Sequence, residues 1–379
     1  MRPDARVGAA ISILDEILAG QPAEQALLRW SRNSRFAGSG DRAAIRDLVF
    51  QALRRRNSCA SLGGAMTGRG LMIGLCRLNG QDPTTVFTGQ GHAPQVLSQT
   101  EALAQGGEAV DLPDWVLPMW RDSLGDAWQQ VADAMGERAP VWLRVNPAMS
   151  DPEMAIRSLA QDGVTVAVSP LLATALRVEA GERQVNRSAA YQQGMVELQD
   201  LSAQLACAAL PDIGAGRVLD YCAGGGGKAL AIAGAQPRAK ITAHDANEQR
   251  MADLPLRAKR AGARIVAEQP KGSFDLVVAD VPCSGSGTWR RTPDAKWRLD
   301  EAGFHRLLDL QQRIMAEAAA FVAPGGVFAY MTCSVLEDEN GDQVDRFLTA
   351  NPDFRQEARH FWTPLTASDG FFCAVLRKG

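Results

Sequence analysis

The sequence predicts an α/β chain in which an all-helical region is followed by a small α+β unit and then by a doubly wound, mostly parallel sheet. Three observations predict this. Through residues 1–110 apolar residues recur three and four apart with no strand alternation, as in "AAISILDEILAG", "PAEQALLRW" and "DRAAIRDLVFQALRRR", and that spacing marks one face of a helix. From about Gly194 onward, short apolar runs alternate with helical lengths: "GRVLDYCAGGGG", "AKITAHDA", "SFDLVVADVP", "GGVFAYMTC" and "GFFCAVLRK". Strands joined through helices are crossover-connected and therefore parallel. Between the two regions, "PVWLRVN", "VTVAVS" and "ALRVE" flank a helical "DPEMAIRSLAQDG". The expected division is thus 1–110, 111–193 and 194–379.

Taken in order, the opening "MRPDARVGAAISILDEILAG" is an amphipathic helix without the apolar stretch and small-residue cleavage site of a signal peptide. No run of about 18 apolar residues occurs, so a cytoplasmic protein with no membrane partner is expected. The 379 residues, 46% hydrophobic and 22% charged, are too many for one ordinary domain and enough for a sizeable core. The stretch "GQGHAPQVLSQTEALAQGGEAVDLPDW" is rich in Gly, Gln and Pro and reads as an irregular connection. A helix over about 115–135 follows it. Seven cysteines at 59, 76, 207, 222, 283, 333 and 373 are odd in number, scattered and free of any C-x-x-C, which argues against a disulfide framework and a zinc site. Free thiols and no metal are expected. A net charge of −3 disfavours a generic phosphate binder. Its distribution is uneven, because Arg29 to Arg56 holds eight arginines, among them Arg54, Arg55 and Arg56, against Asp41 and Asp47. Such a run serves a solvated helix face or an RNA surface equally well.

"VLDYCAGGGGKAL" is an apolar strand, four glycines and a helix start. Glycines let a backbone approach a ligand closely, and a helix N-terminus offers unpaired N–H groups. A P-loop is excluded, since it would need Gly at Cys222 and Ser or Thr at Ala229. The run loosely fits G-x-G-x-x-A (Gly224, Gly226, Ala229), with Asp245 a strand later to grip a ribose. Asp220, four residues before the glycines, instead gives the D-x-x-x-G-x-G order that resembles S-adenosylmethionine (SAM) methyltransferases, and nothing downstream suggests nicotinamide chemistry.

Two Cys-Ser pairs, at Cys283 in "VVADVPCSGSG" and Cys333 in "YMTCSVLEDEN", stand at strand ends. A lone Cys is usually a buried space-filler, which is the reading for Cys59, Cys76, Cys207 and Cys373; His244 and His305 likewise read as structural. If the ligand is SAM and the acceptor a pyrimidine, thiols acquire a purpose. Cytosine C5 is a poor nucleophile until a thiolate adds to C6, and the reaction also needs an acid at the base and help with elimination. Asp280, Cys283 and Cys333 are those residue types.

With these motifs in hand, "DYCAGGGGK", "HDANEQRM", "FDLVVADVPCSGSGTWRRTPDAKWR", "YMTCSVLEDEN" and "SDGFFCAVLRK", in this order, resemble the RNA (cytosine-5)-methyltransferases of the Sun/Fmu and Nol1/Nop2 group. The likeness runs from about Val196 to Lys378; residues 1–110 resemble, more weakly, a NusB-like RNA-binding domain. The resemblance implies a Rossmann-like SAM methyltransferase domain, a monomer acting on RNA, and most specifically on 16S ribosomal RNA. The same motifs suit tRNA or 23S rRNA, and an idle ribosome assembly factor is the reading from another class. It gives the nucleophile to Cys333, release of the methylated base to Cys283, and contact with the target base beside the methyl donor to Asp280. The SAM loop falls on Cys222, Ala223, Gly224, Gly225, Gly226, Gly227 and Lys228, and the ribose contact on Asp245. The family loop usually reads C-A-A-P-G-G-K, so Gly224 and Gly225 are departures, and Glu268 is the acid nearest to the family's adenine-side carboxylate. Arg290, Arg291, Lys296 and Arg298, close behind Cys283, would reach phosphates around a base presented out of its stack.

Overall fold

A computed structural model describes residues 1–104 and 106–379; Gln105, in the Gly- and Gln-rich connection, lies outside them. The chain divides into two units. The first comprises Met1–Pro118, Ala127–Arg138 and Trp289–Asp300, and the second Met119–Asp126, Ala139–Thr288 and Glu301–Gly379.

The first unit is helical, as the 3.6-residue spacing requires. Helices α1 (Pro3–Leu18), α2 (Ala23–Asn33), α3 (Ser39–Arg54), α4 (Arg56–Gly63) and α5 (Gly68–Leu78) bury one stripe each, such as Ala10, Ile13, Leu14 and Ile17 of α1 and Ile45, Val49 and Leu53 of α3. Where α4 meets α5 the backbones touch: a Cβ on Gly74 would lie 1.9 Å from the Cys59 carbonyl oxygen, so no larger residue fits. The irregular connection contains one helix the sequence reading did not anticipate, Gln99–Leu103, closed by a Ser98–Glu101 capping box. The helix expected over 115–135 is two, Leu117–Leu124 and Trp128–Met135, parted at Gly125 with φ +52°.

The second unit holds two sheets. Strands β1 (Trp142–Val145), β2 (Thr165–Val168), β3 (Ala175–Ala180) and β4 (Val196–Leu198) form a four-stranded sheet in the order β2-β3-β1-β4, antiparallel at each pairing. Helices Pro152–Gln161 and Ala189–Gln192 complete a βαββαβ unit. The second sheet contains β5 (Arg217–Asp220), β6 (Lys240–Ala243), β7 (Ile265–Ala267), β8 (Phe274–Asp280), β9 (Val322–Thr332), β10 (Phe354–Trp362) and β11 (Phe371–Lys378), in the order β10-β11-β9-β8-β5-β6-β7. Strands β5 to β9 pair in parallel and β10–β11 is an antiparallel addition.

The near-continuous apolar runs of β8 and β9 are explained by burial on both faces. Val277, Ala279, Phe328 and Tyr330 pack under helices Glu301–Ala319 and Gly341–Ala350 through Met315, Ala318, Val344 and Phe347. Their alternates Leu276, Val278, Ala329 and Met331 pack against Ala203 and Ala206 of Leu201–Ala208 and Ile232 of Gly227–Ala235. Among the described residues no helix is long and apolar enough to cross a membrane.

Candidate active site

After β5 the chain adds β6 and β7 on one side and then returns to place β8 and β9 on the other. The carboxyl ends of β5 and β8 therefore flank a reversal of strand order, where open α/β sheets bind ligands.

β5 ends at Asp220, which is 1% exposed. One carboxylate oxygen accepts from the Ala229 N–H at 3.0 Å, fixing the start of helix Gly227–Ala235. The other, Oδ1, is buried without a hydrogen-bond partner among the described residues, and burial pushes this carboxyl up to about 7. Between them the glycine loop turns through Gly224 (φ +49°) and Gly226 (φ +81°), conformations that favour glycine. A Cβ on Gly226 would also stand 2.2 Å from Leu254. The Ala223 N–H donates to the His244 carbonyl at 2.9 Å, which ties the loop to the end of β6. The next residue, Asp245, is 3% exposed and oriented by backbone: its oxygens accept from the N–H groups of Gly224 and Asn247, each at 2.9 Å, and Arg250 pairs with it at 3.1 Å. Gly225 offers its carbonyl to Arg257, and Gly227 opens the helix. Cys222 is a poor nucleophile, because burial and then the carboxylates Asp220, Asp280 and Asp245 push its thiol up to about 12. Lys228 reaches across to an ion pair with Asp280 at the end of β8. Burial works against its charge, and the Asp280 carboxylate overcomes this and holds it above the ordinary lysine value.

The two thiols meet because β8 and β9 are parallel neighbours with Asp280 in register with Met331. Three residues past Asp280 and two past Met331, Cys283 and Cys333 place their sulfurs 3.4 Å apart. Both are free and half-buried. The hydrogen bond with Cys333, followed by burial, pushes the Cys283 thiol well above its usual range. The loops are pinned where the Gly287 N–H donates to the Cys333 carbonyl at 3.0 Å and the Gly370 N–H to the Gly287 carbonyl at 2.8 Å.

Sequence reasoning missed the group that holds these loops. Within the acidic run of "CSVLEDEN", Glu339 is completely buried. Its carboxylate accepts from the Ser284 N–H at 2.7 Å, from the Ser284 hydroxyl, and from the Gln311 side-chain amide at 3.0 Å; its carbonyl accepts from the Tyr330 hydroxyl at 2.7 Å. Burial raises its pKa. Beside it, buried Ser286 and Ser334 share a hydrogen bond of 2.8 Å, and Asn340 accepts from Thr332 and donates to the Ser334 carbonyl. Each Cys-Ser pair therefore presents its thiol toward the other while its serine anchors the loop from behind. Only an acid followed by Asn after "TCS" could have signalled this.

The arginines and lysine singled out for RNA belong to the helical unit. The last carbonyls of α3 lack helical partners, and segment 289–300 supplies them: the Trp297 indole donates to Leu53 at 2.7 Å and the Lys296 ammonium to Arg54 at 3.0 Å. The ammonium also donates to the Asp111 carbonyl at 2.6 Å, and burial pushes it down to about 7. Arg54 returns a bond to the Arg290 carbonyl at 2.6 Å. Arg54, Arg290 and Lys296 are all buried, whereas the sequence reading expected them at phosphates. Arg56 stacks over Trp297 at 3.6 Å, Arg55 pairs with Glu137, Arg298 is exposed and pairs with Asp294 at 2.9 Å, and Arg291 is half-buried. Glu268 is exposed, just after β7. Among the described residues no group of His, Cys, Asp and Glu is arranged to hold a metal ion.

The family described as "16S rRNA methyltransferase RsmB/F" matches residues 209–377, and that described as "Methyltr_RsmF/B-like, ferredoxin-like domain" matches residues 112–185. Ribosomal RNA small subunit methyltransferase B of Cronobacter sakazakii is 33% identical over 301 residues, covering 74% of this chain and 70% of that protein. The protein of the same name from Erwinia tasmaniensis is 32% identical over 284 residues, covering 70% and 66%. The chain thus spans about two thirds of these relatives' length. Among solved structures, PH0851 superposes with a TM-score of 0.80 over 100% of this chain and 99% of that one at 22% identity. NSun6 from Pyrococcus horikoshii gives 0.62 over 70% and 98% at 16% identity. These two likenesses bear on the fold.

Proposed function

We propose a reaction for this chain from one premise: it belongs to the 16S rRNA methyltransferase RsmB/F family, and it is accordingly a SAM-dependent ribosomal RNA methyltransferase. The reaction we infer is formation of 5-methylcytosine, with 16S rRNA as the substrate. The observation that carries it is the pair of sulfurs 3.4 Å apart at the ends of β8 and β9, with Asp280 on the same strand end. SAM, when bound, supplies an electrophilic methyl group. The residues present suit it: Asp245 is fixed by two backbone N–H groups, the left-handed glycines bring bare backbone to the crevice, and the unpartnered oxygen of Asp220 awaits a donor.

In this reading the Cys333 thiolate adds to cytosine C6 and makes C5 nucleophilic. The Cys283 thiol, raised above its usual range by its hydrogen bond with Cys333 and by burial, stays protonated beside the attacking sulfur. After methylation the C5 proton passes to solvent water, its electron pair re-forms the C5–C6 double bond, and the C6–S bond breaks with Cys333 leaving as thiolate; Cys283 assists by hydrogen-bonding the departing sulfur. Asp280, fixed by Lys228, meets the N3 and N4 edge of the base. Residues 1–110 form a NusB-like RNA-binding domain, 111–193 a connecting α+β subdomain and 194–379 the catalytic domain of a cytoplasmic monomer. The proposed phosphate contacts are Arg55, Arg56, Arg291 and Arg298, each at least partly exposed.

Bisulfite sequencing of total RNA from a strain deleted for the gene tests this. One 16S rRNA cytosine should lose its protection. Loss at a tRNA or 23S position would move the substrate, and no loss at any cytosine would defeat the chemistry. At the cofactor, Asp245→Ala should weaken SAM binding by about 1–3 kcal/mol, because a charged acceptor is removed from buried hydroxyls. Unchanged affinity by calorimetry would reject that placement.

A further inference from the structure

We propose that a cleft at the amino ends of β5 and β6, on the opposite edge of the sheet from the thiols, binds the phosphodiester backbone of the RNA substrate at a second place. The inference rests on the RNA reading above and adds a site to it. The cleft has a volume of about 600 Å3 and is lined by Arg217, Arg238, Lys240 and Arg264 without any Asp or Glu. Its remaining lining is uncharged and includes Gly234 and Gly262 at the ends of the helices Gly227–Ala235 and Leu254–Arg260.

The four cations differ in how they are held. Arg217 and Lys240 open neighbouring parallel strands and are register partners. The Arg217 guanidinium is pinned, donating to the carbonyls of Ser273 at 2.7 Å and Lys271 at 2.8 Å and lying 4.3 Å over the Phe274 ring. Arg238, Lys240 and Arg264 are exposed, and among the described residues none of them has an ion pair. Of the acids near the cleft, Asp212 accepts from the Gly214 N–H at 2.8 Å, and Asp275 accepts from the backbone N–H of Arg217 at 2.7 Å without pairing with any of the three exposed cations.

Four like charges around one concavity repel one another, and the fold alone gains nothing from the arrangement. A polyanion entering the cleft turns that repulsion into attraction and releases its own counterions. A phosphodiester chain fits better than a single small anion, because the four charges are spread around an open cleft of about 600 Å3 with three of them exposed, an arrangement that suits several phosphates in a row. Strand β5 is four residues long, so the cleft stands about 10 Å from the glycine loop along the sheet. A structured RNA a few nucleotides from the reacting base spans that distance readily.

The test uses the full chain with Arg238→Gln, Lys240→Gln and Arg264→Gln combined, titrated against a fluorescent in vitro transcript of 16S rRNA at several salt concentrations. Affinity should fall about 10-fold or more near 0.1 M salt, and the slope of log K against log salt should become shallower by about 2–3 units, one for each lost phosphate contact. The charge-preserving combination Arg238→Lys, Lys240→Arg and Arg264→Lys should restore the parental slope. SAM affinity, measured alongside, should be unchanged in both. A triple-Gln variant with the parental slope and affinity would overturn the proposal. The titration contains no SAM, so it reads the cleft even in a chain that transfers no methyl group.

Discussion

Cys333→Ala should form no covalent adduct with RNA and no methylated product, while Cys283→Ala should attack and methylate yet fail to release, accumulating a protein–RNA adduct that survives denaturation. The contrast follows from the proposed roles of the two thiols. The sulfurs are 3.4 Å apart, so either could reach a pyrimidine C6. The hydrogen bond with Cys333 and burial hold the Cys283 thiol well above its usual range, which disfavours a thiolate on Cys283 and supports the reading in which Cys333 attacks. DNA cytosine-5 methyltransferases attack from the Cys of a Pro-Cys pair, and by that analogy Cys283, which follows Pro282, would be the nucleophile. A denaturing gel of each variant incubated with SAM and substrate RNA decides. An adduct from Cys333→Ala and none from Cys283→Ala would reverse the assignment.

The second large effect is expected directly behind the thiols, at a group that anchors the Cys283 loop. Glu339→Ala removes the acceptor of three hydrogen bonds in a buried site, from the Ser284 N–H, the Ser284 hydroxyl and the Gln311 amide; the Gln311 amide keeps the Pro282 carbonyl at 3.1 Å. Each buried bond lost costs about 1–3 kcal/mol, so a loss of about 3 kcal/mol or more is expected. Glu339→Gln keeps the shape and one acceptor oxygen, and should cost about 1–2 kcal/mol while slowing adduct formation through a displaced Cys283 loop. Urea midpoints and adduct rates measure the two effects. An alanine variant with the parental midpoint and rate would remove Glu339 from any role in positioning the thiols.

What could be read from the sequence was what repeats locally. The buried strands β8 and β9 announced themselves as long apolar runs, and parallel pairing then obliged their carboxyl ends to adjoin, which brought Asp280, Cys283 and Cys333 together. The glycine loop was legible because two of its four glycines, Gly224 and Gly226, turn with positive φ, which other residues adopt less readily. Edge elements were not. β10, "FRQEARHFW", buries little beyond Phe354, and β4 and β7 are three residues each, too short for alternation to show. Charge was the least legible of all. Nothing in residue type separates buried Glu339 from exposed Glu337 two residues earlier, and Lys296 read as a phosphate contact until its partners, the Arg54 carbonyl 242 residues back on α3 and the Asp111 carbonyl 185 residues back, came into view. A residue's type reports the chemistry it can do, and burial decides whether it faces a ligand or a carbonyl.

That last contact also sets a timetable. The end of α3 is completed by Lys296 and Trp297, yet the rest of the helical unit ends at Arg138. On the ribosome, at about 5–20 residues per second, the capping segment emerges roughly 10–50 seconds after the end of α3 that it closes. During that interval the Leu53 and Arg54 carbonyls must be satisfied by water, and the nascent helical unit is an open structure, exposed to proteases and chaperones until the second half of the chain has been made.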